Sequence, residues 1–94
     1  MDVSEFQSLI RRVYYDRDRR RGLERTFMWF VEEVGELAEA LRRGDGVEEE
    51  FADVLAWLAS LANLAGVDLG RAAAGKYGKG VCPRCGKPVC ECAE

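Results

Sequence analysis

The sequence predicts an all-α protein: an antiparallel helical hairpin with flanking helices, followed by a short cysteine-rich tail. Two segments with apolar residues every three or four positions flank a Gly-Asp-Gly turn at residues 44–46, the pattern of two packed helices joined by a short loop. After residue 80 the composition changes to Cys, Pro and Gly. These observations place a helical domain at residues 1–80 and a separate tail at residues 81–94.

Helix 1 is predicted from a capping box, in which Asp2 precedes Glu5 by three residues. The apolar periodicity stops after Tyr15, and an arginine-rich stretch leads to a break at Gly22. That stretch, from Arg11 to Arg25, is either a solvated helix end and connector or a rim that attracts the phosphates of an anionic substrate.

Helix 2 is predicted to run to about Arg43 and to end at Gly44, a residue suited to the position after a helix. Its apolar seam consists of Phe27, Phe30, Val34, Leu37 and Leu41. Asp45, followed three residues later by Glu48, is predicted to form a second capping box that starts helix 3.

Helix 3 is apolar almost all the way round, through Phe51, Val54, Leu55, Trp57, Leu58, Leu61 and Leu64. Such a helix must be surrounded, and the other short helices of one chain cannot surround it. Dimerisation is therefore predicted to complete a four-helix-bundle-like core, in a homodimer or homotetramer. Gly66 ends the helix, and Asp68 is predicted to cap a fourth helix that reaches about Tyr77.

Length and composition exclude several classes of protein. The 94 residues form one small domain near the lower limit for a self-sufficient core. The absence of His excludes histidine-based acid–base catalysis and His metal ligands. No apolar run approaches a membrane span and no signal peptide is visible, so a cytoplasmic location is expected. Nucleic-acid binding is disfavoured, because aromatic and basic residues are not interleaved in this acidic chain.

Four acids lie on the edges of the apolar sides of helices 2 and 3: Glu33, Glu36, Glu50 and Asp53. The last two share a stripe with Trp57, where an ionised carboxylate costs several kcal/mol unless it is paired or binds a metal. The short turn makes the two helices antiparallel neighbours, so we expect all four carboxylates to converge on a divalent cation. Oxygen ligands favour Mg²⁺ or Mn²⁺. A di-iron site, the nearest alternative, uses Glu-x-x-His pairs.

The two acidic pairs form a double motif, Glu32-Glu33-Val34-Gly35-Glu36 and Glu50-Phe51-Ala52-Asp53. Over about Leu23 to Lys76 the chain resembles MazG-like nucleoside triphosphate pyrophosphohydrolases, in the all-α NTP pyrophosphatase superfamily. The resemblance implies Mg²⁺-dependent cleavage of a nucleotide between its α- and β-phosphates, giving a nucleoside monophosphate and pyrophosphate. The alternatives are a related enzyme acting on phosphoribosyl-ATP and a non-catalytic, zinc-bearing helical interaction module.

Several residues are candidates for the chemistry that this resemblance implies. Glu32 is the candidate for orienting or deprotonating the attacking water. Trp29 and Trp57 lie on the stripes that carry the four acids, where they either stack a base or, as is commoner for helical Trp, pack in the core.

Three further residues are candidates for binding the substrate. Lys76 and Lys79 follow the motif where family members carry a basic residue that contacts phosphate, although Gly80 stands where the family pattern has Asn. Asn63 either serves the site or lies on an exposed helix face.

The tail carries two cysteine pairs. Cys82-Pro-Arg-Cys85-Gly is the half-site of a zinc knuckle, and Cys90 and Cys92 supply two more sulfur ligands. Four thiolates suit tetrahedral, structural Zn²⁺, with redox pairs or a disordered tail as the alternatives.

Overall fold

The computed structural model describes all 94 residues as four α-helices and a tail without regular secondary structure. The helices are α1 (Val3–Arg21), α2 (Leu23–Arg43), α3 (Val47–Ala65) and α4 (Leu69–Tyr77). The most extensive contacts join α2 to α3 and α1 to α3, whereas α4 packs against α1. The predicted all-α fold with a central hairpin is confirmed.

No single helix combines the length and apolar composition needed to cross a membrane. Only α3 and α4 taken together have that length and composition, and they are bent by 96° relative to each other.

The capping box of α1 is present as predicted. The Asp2 carboxylate accepts a hydrogen bond from the Glu5 amide at 2.8 Å, and the Glu5 carboxylate accepts one from the Asp2 amide at 3.2 Å. The break predicted at Gly22 is confirmed, and the arginine-rich residues before it continue α1 as one helix through Arg21. Arginine is a good helix former, and basic residues in the last turn stabilise the helix dipole.

The turn between α2 and α3 is built on two glycines in the left-handed conformation, Gly44 (φ 72°) and Gly46 (φ 68°). Gly44 ends α2 as predicted, with its amide donating to the Ala40 carbonyl at 2.8 Å. The predicted Asp45 capping box is wrong, because Gly46 occupies the position before α3 and no side chain caps that helix. Asp45 instead faces Arg43 at 3.9 Å.

The end of α3 and the start of α4 follow the prediction. Gly66 ends α3 in the left-handed conformation, and the Asp68 carboxylate accepts from the Arg71 amide at 3.0 Å. A buried polar pair fixes this end of α3 to α1. The side-chain amide of Gln7 donates to Asn63 Oδ1 at 3.0 Å, and Asn63 Nδ2 donates to the backbone carbonyl of Gln7 at 3.2 Å.

The hydrophobic core of the single chain is small. Its buried apolar residues are Ile10, Ala40, Ala59 and Ala62. Large side chains of the predicted α2 seam stay in contact with solvent, and Phe27 is 53% exposed. On α3, Phe51 is 54% exposed, and Leu55 and Leu58 are also exposed. The helical hairpin therefore presents apolar surface that its own chain does not cover.

Candidate functional site

Three carboxylates converge across the hairpin. Carboxylate oxygens of Glu33 on α2 and of Glu50 and Asp53 on α3 all lie within 4.8 Å of one another. A three-residue spacing puts Glu50 and Asp53 on one face of α3, and the antiparallel packing of α2 brings Glu33 to that face. None of the ion pairs of the protein involves these acids. We call Glu33, Glu50 and Asp53 the acidic cluster.

The cluster is electrostatically strained in the absence of a cation. Partial burial raises the pKa of Glu33, and the charges of Asp53 and Glu50 raise it further. Burial likewise raises the pKa of Glu50, with Asp53 and Glu36 adding repulsion. Glu50 Oε2 is enclosed and has no hydrogen-bond partner, which is costly for a carboxylate oxygen. A bound cation would satisfy that oxygen and offset the repulsion.

Glu36, the fourth predicted ligand, lies beside the cluster rather than within it. It is exposed one helical turn after Glu33, and its charge acts on both Glu33 and Glu50. Glu36 and the exposed Glu32 line a cavity of about 470 Å³ with Glu50, between α2 and the start of α3. We call this space the hairpin cavity.

A second cavity, of about 280 Å³, lies between α1 and α3. It is lined by Tyr14, Arg17, Asp18, Arg21, Asp53, Ala56, Trp57 and Ser60. We call it the α1–α3 cavity. Because Asp53 lines this cavity and Glu50 lines the hairpin cavity, the acidic cluster adjoins both spaces.

The α1–α3 cavity contains two arginines in different environments. Arg21 donates to Asp18 Oδ1 at 2.9 Å and to Thr26 Oγ1 at 3.2 Å, and its guanidinium lies 4.9 Å from the centre of the Trp57 ring. Arg17 is exposed and forms no ion pair. One guanidinium is therefore held by the protein, and the other remains available to an anionic ligand.

These α1 residues were not predicted individually. Tyr14, Arg17, Asp18 and Arg21 follow steps of three, one and three residues along the helix, which places them on one face. This spacing was the feature of the arginine-rich stretch from which a shared helix face could have been predicted. Arg17 lines the α1–α3 cavity, whereas Arg19 and Arg20 are exposed and line neither cavity.

The two predicted tryptophans lie next to each other. The Trp29 and Trp57 rings stack with their centres 6.1 Å apart and an interplanar angle of 17°. Trp57 is half-buried, whereas Trp29 is 48% exposed. Packing against Trp29 thus explains why Trp57 is half-buried, while part of the Trp29 side chain faces solvent.

The other predicted substrate-binding residues do not join the acidic cluster. Lys76 and Lys79 are exposed and line neither cavity, and the Lys76 ammonium lies 5.6 Å from the centre of the Tyr77 ring. Asn63 lies about 15 Å beyond Asp53 along the α3 axis. The expectation of an exposed-face Asn63 is wrong, because its side chain is buried in the hydrogen bonds with Gln7.

The four cysteines of the tail form a second cluster. Their sulfurs all lie within 4.8 Å of one another, and all four residues are free thiols: Cys82, Cys85, Cys90 and Cys92. Hydrogen bonds from the backbone of Cys85 and Arg84 lower the pKa of Cys82 to about 6. The neighbouring sulfurs of Cys90 and Cys82 raise the pKa of Cys92 to about 11.

A comparison with protein families agrees with the acidic double motif. The family model described as the MazG nucleotide pyrophosphohydrolase domain matches residues 21–80. The match includes the whole hairpin and the acidic cluster, but neither most of α1 nor the cysteine-rich tail. A comparison with individual curated proteins found no match. Since the matched region covers more than half of the 94 residues, the chain belongs to the MazG nucleotide pyrophosphohydrolase family.

Proposed function

We propose that this protein hydrolyses a nucleoside triphosphate between its α- and β-phosphates, in a Mg²⁺-dependent reaction that yields a nucleoside monophosphate and pyrophosphate. The observation that carries the proposal is the acidic cluster, with an enclosed Glu50 oxygen that has no partner. Membership of the MazG family supports a nucleotide as the substrate.

The acidic cluster is the proposed metal site. Glu33, Glu50 and Asp53 would hold Mg²⁺, with Mn²⁺ equally compatible with oxygen ligands, and Glu36 would act from the margin of the site. When bound, the metal neutralises charge on the phosphates and lowers the pKa of a bound water. Glu32, exposed in the hairpin cavity, is the proposed group that orients the attacking water and accepts its proton.

The nucleoside is proposed to occupy the α1–α3 cavity, because this cavity borders the acidic cluster at Asp53. Arg17 presents a free guanidinium there, which suits a phosphate oxygen. The Trp57 ring is already in contact with Trp29 and Arg21, so we expect it to form a wall of the cavity rather than to stack on the base. Tyr14, which is partly exposed, offers the free aromatic ring for a base.

The proposed assembly is a homodimer, or a homotetramer that uses the same apolar surface. The exposed apolar side chains of α2 and α3, including Phe27 and Phe51, would be buried by a second copy.

Product analysis of a nucleotide panel tests the proposed reaction. The full chain is incubated with Mg²⁺ and each ribo- and deoxyribonucleoside triphosphate, and also with phosphoribosyl-ATP. Pyrophosphate and the corresponding monophosphate should form in equal amounts, and EDTA should stop their formation. Turnover of phosphoribosyl-ATP alone would identify the related pyrophosphohydrolase. Absence of pyrophosphate with every substrate would instead favour the non-catalytic interaction module.

A further inference from the structure

We propose that the tail is a structural zinc knuckle, with Zn²⁺ held by the four sulfurs of Cys82, Cys85, Cys90 and Cys92. The site lies outside residues 21–80, which the MazG family model matches. It is chemically distinct from the acidic cluster, because soft sulfur and hard oxygen ligands select different metals.

The positions of the sulfurs fit one tetrahedral metal. All four lie within 4.8 Å of one another, and the Cys82 and Cys92 sulfurs are 3.8 Å apart. Zn–S bonds of about 2.3 Å in a tetrahedron require sulfur–sulfur separations of about 3.8 Å. A disulfide needs a separation of about 2.05 Å. The arrangement is therefore one group of four sulfurs rather than two bonded pairs.

The backbone around the first cysteine pair forms a tight turn. The Cys82 amide donates to the Lys87 carbonyl at 2.9 Å, and the Gly86 amide donates back to the Cys82 carbonyl at 2.8 Å. Gly86 adopts φ 73°, a conformation that side chains rarely allow. This turn places Cys82 and Cys85 on the same side of the chain.

Backbone amides also point at the sulfurs. The Glu91 amide donates to Cys85 Sγ at 3.4 Å, and the Cys92 amide donates to Cys90 Sγ at 3.4 Å. Such hydrogen bonds stabilise metal-bound thiolates and orient them. Both cysteine pairs therefore have the backbone support that a metal site requires.

Neither regular secondary structure nor an apolar core holds the tail in this shape. It has no helix or strand, and Val89 is 80% exposed. No hydrogen bond or ion pair joins residues 81–94 to the helices. A segment of this size without an apolar core needs a metal or another cross-link to order it. Besides the four sulfurs, the side chains of the tail form only the exposed Lys87–Glu91 ion pair at 3.9 Å, and an exposed pair of this kind contributes little stability.

Metal analysis of the full chain tests the proposal without using activity. The protein, purified without an affinity tag that binds metal, should contain one zinc and no iron per chain after dialysis. Replacement of the zinc by Co²⁺ should produce the visible absorption of tetrahedral thiolate coordination. The native thiols should resist alkylation until a strong chelator removes the metal.

Variants separate the two metal sites. Cys85→Ser and Cys92→Ser should retain much less than one zinc per chain while keeping the helical circular dichroism of the wild type. Glu50→Gln is the matched control, and it should keep one zinc and lose only the effects of Mg²⁺. If a cysteine variant does not fold, chelation of the wild-type protein provides the same comparison.

Three outcomes would overturn the proposal. They are one iron in place of zinc, a mass that shows disulfides in freshly purified protein, and a metal-free protein with four freely reactive thiols. None of them bears on nucleotide hydrolysis, because the acidic cluster shares no residue with the knuckle.

Discussion

At the scale of single residues, the enclosed Glu50 oxygen is the feature that most strongly indicates a cation. It lies among other carboxylates and has no hydrogen-bond donor. Removing its charge should therefore have opposite effects on catalysis and on the stability of the metal-free protein.

Glu50→Gln should abolish turnover, with a loss beyond the roughly 10- to 100-fold that is typical of outer-shell partners of a metal. The metal-free variant should melt at the same temperature as the wild type or higher, because the repulsion with Glu33 and Asp53 is reduced. Steady-state kinetics and thermal melts measure the two effects. Glu48→Gln makes the same change on an exposed position in the same turn and should leave turnover intact. Equal losses in both variants would contradict the assignment.

The stability of the metal-free protein should depend on pH through Glu33 and Glu50. Their pKa values are raised above the ordinary 4.5 in the folded state, so the folded protein binds more protons than the unfolded chain. Their contribution is therefore fully present below pH 4.5 and is lost as the pH rises through the raised pKa values. In thermal melts with EDTA, the advantage of Glu50→Gln over the wild type should grow between pH 4.5 and pH 7. A constant or shrinking difference would contradict the raised pKa.

At the scale of helices, α1 contributes an arginine that the MazG match does not include. Arg17 faces the α1–α3 cavity and forms no ion pair. If the nucleotide lies in that cavity, α1 takes part in binding as well as in packing against α3.

Arg17→Gln should raise KM by roughly 10- to 150-fold, since a hydrogen bond to a charged group contributes about 1.5–3 kcal/mol and each 1.4 kcal/mol corresponds to about a tenfold change. The melting temperature should change little, because the side chain is exposed. Arg19→Gln is the control, since Arg19 has the same charge and is also exposed but does not line the cavity. The comparison needs KM and kcat for both variants. Unchanged KM in Arg17→Gln would exclude this residue from binding.

At the scale of the whole molecule, the uncovered apolar surface of the hairpin predicts self-association. The buried apolar core of one chain consists mainly of alanines, and a core so small stabilises a domain poorly. A second copy on α2 and α3 would complete the four-helix bundle.

Sedimentation at micromolar concentration should therefore show a dimer or a tetramer. Phe51→Glu should shift the protein toward monomers and lower its melting temperature, because it puts a charge in the proposed interface. Val89→Glu introduces the same group in the exposed tail and should leave the assembly unchanged. A wild-type protein that sediments as a folded monomer would contradict the assembly.

The sequence by itself determined the helices and the double acidic motif. The capping pair Asp2 and Glu5, the glycines that end α2 and α3, and the Asp68 cap all act within a few residues. Glu50 and Asp53 share a face because three residues span nearly one helical turn. The local error at Asp45 arose because either Asp45 or Gly46 could occupy the position before α3.

Only the tertiary structure decided which side chains from different helices meet. It brought Glu33 to Glu50 and Asp53 but left Glu36 at the margin, a difference set by how α2 and α3 pack. It buried Asn63 against Gln7 and brought Arg17 to a cavity beside Asp53. The physical reason is that helical periodicity defines the faces of each helix, whereas the partners of those faces depend on the distances and angles between helices.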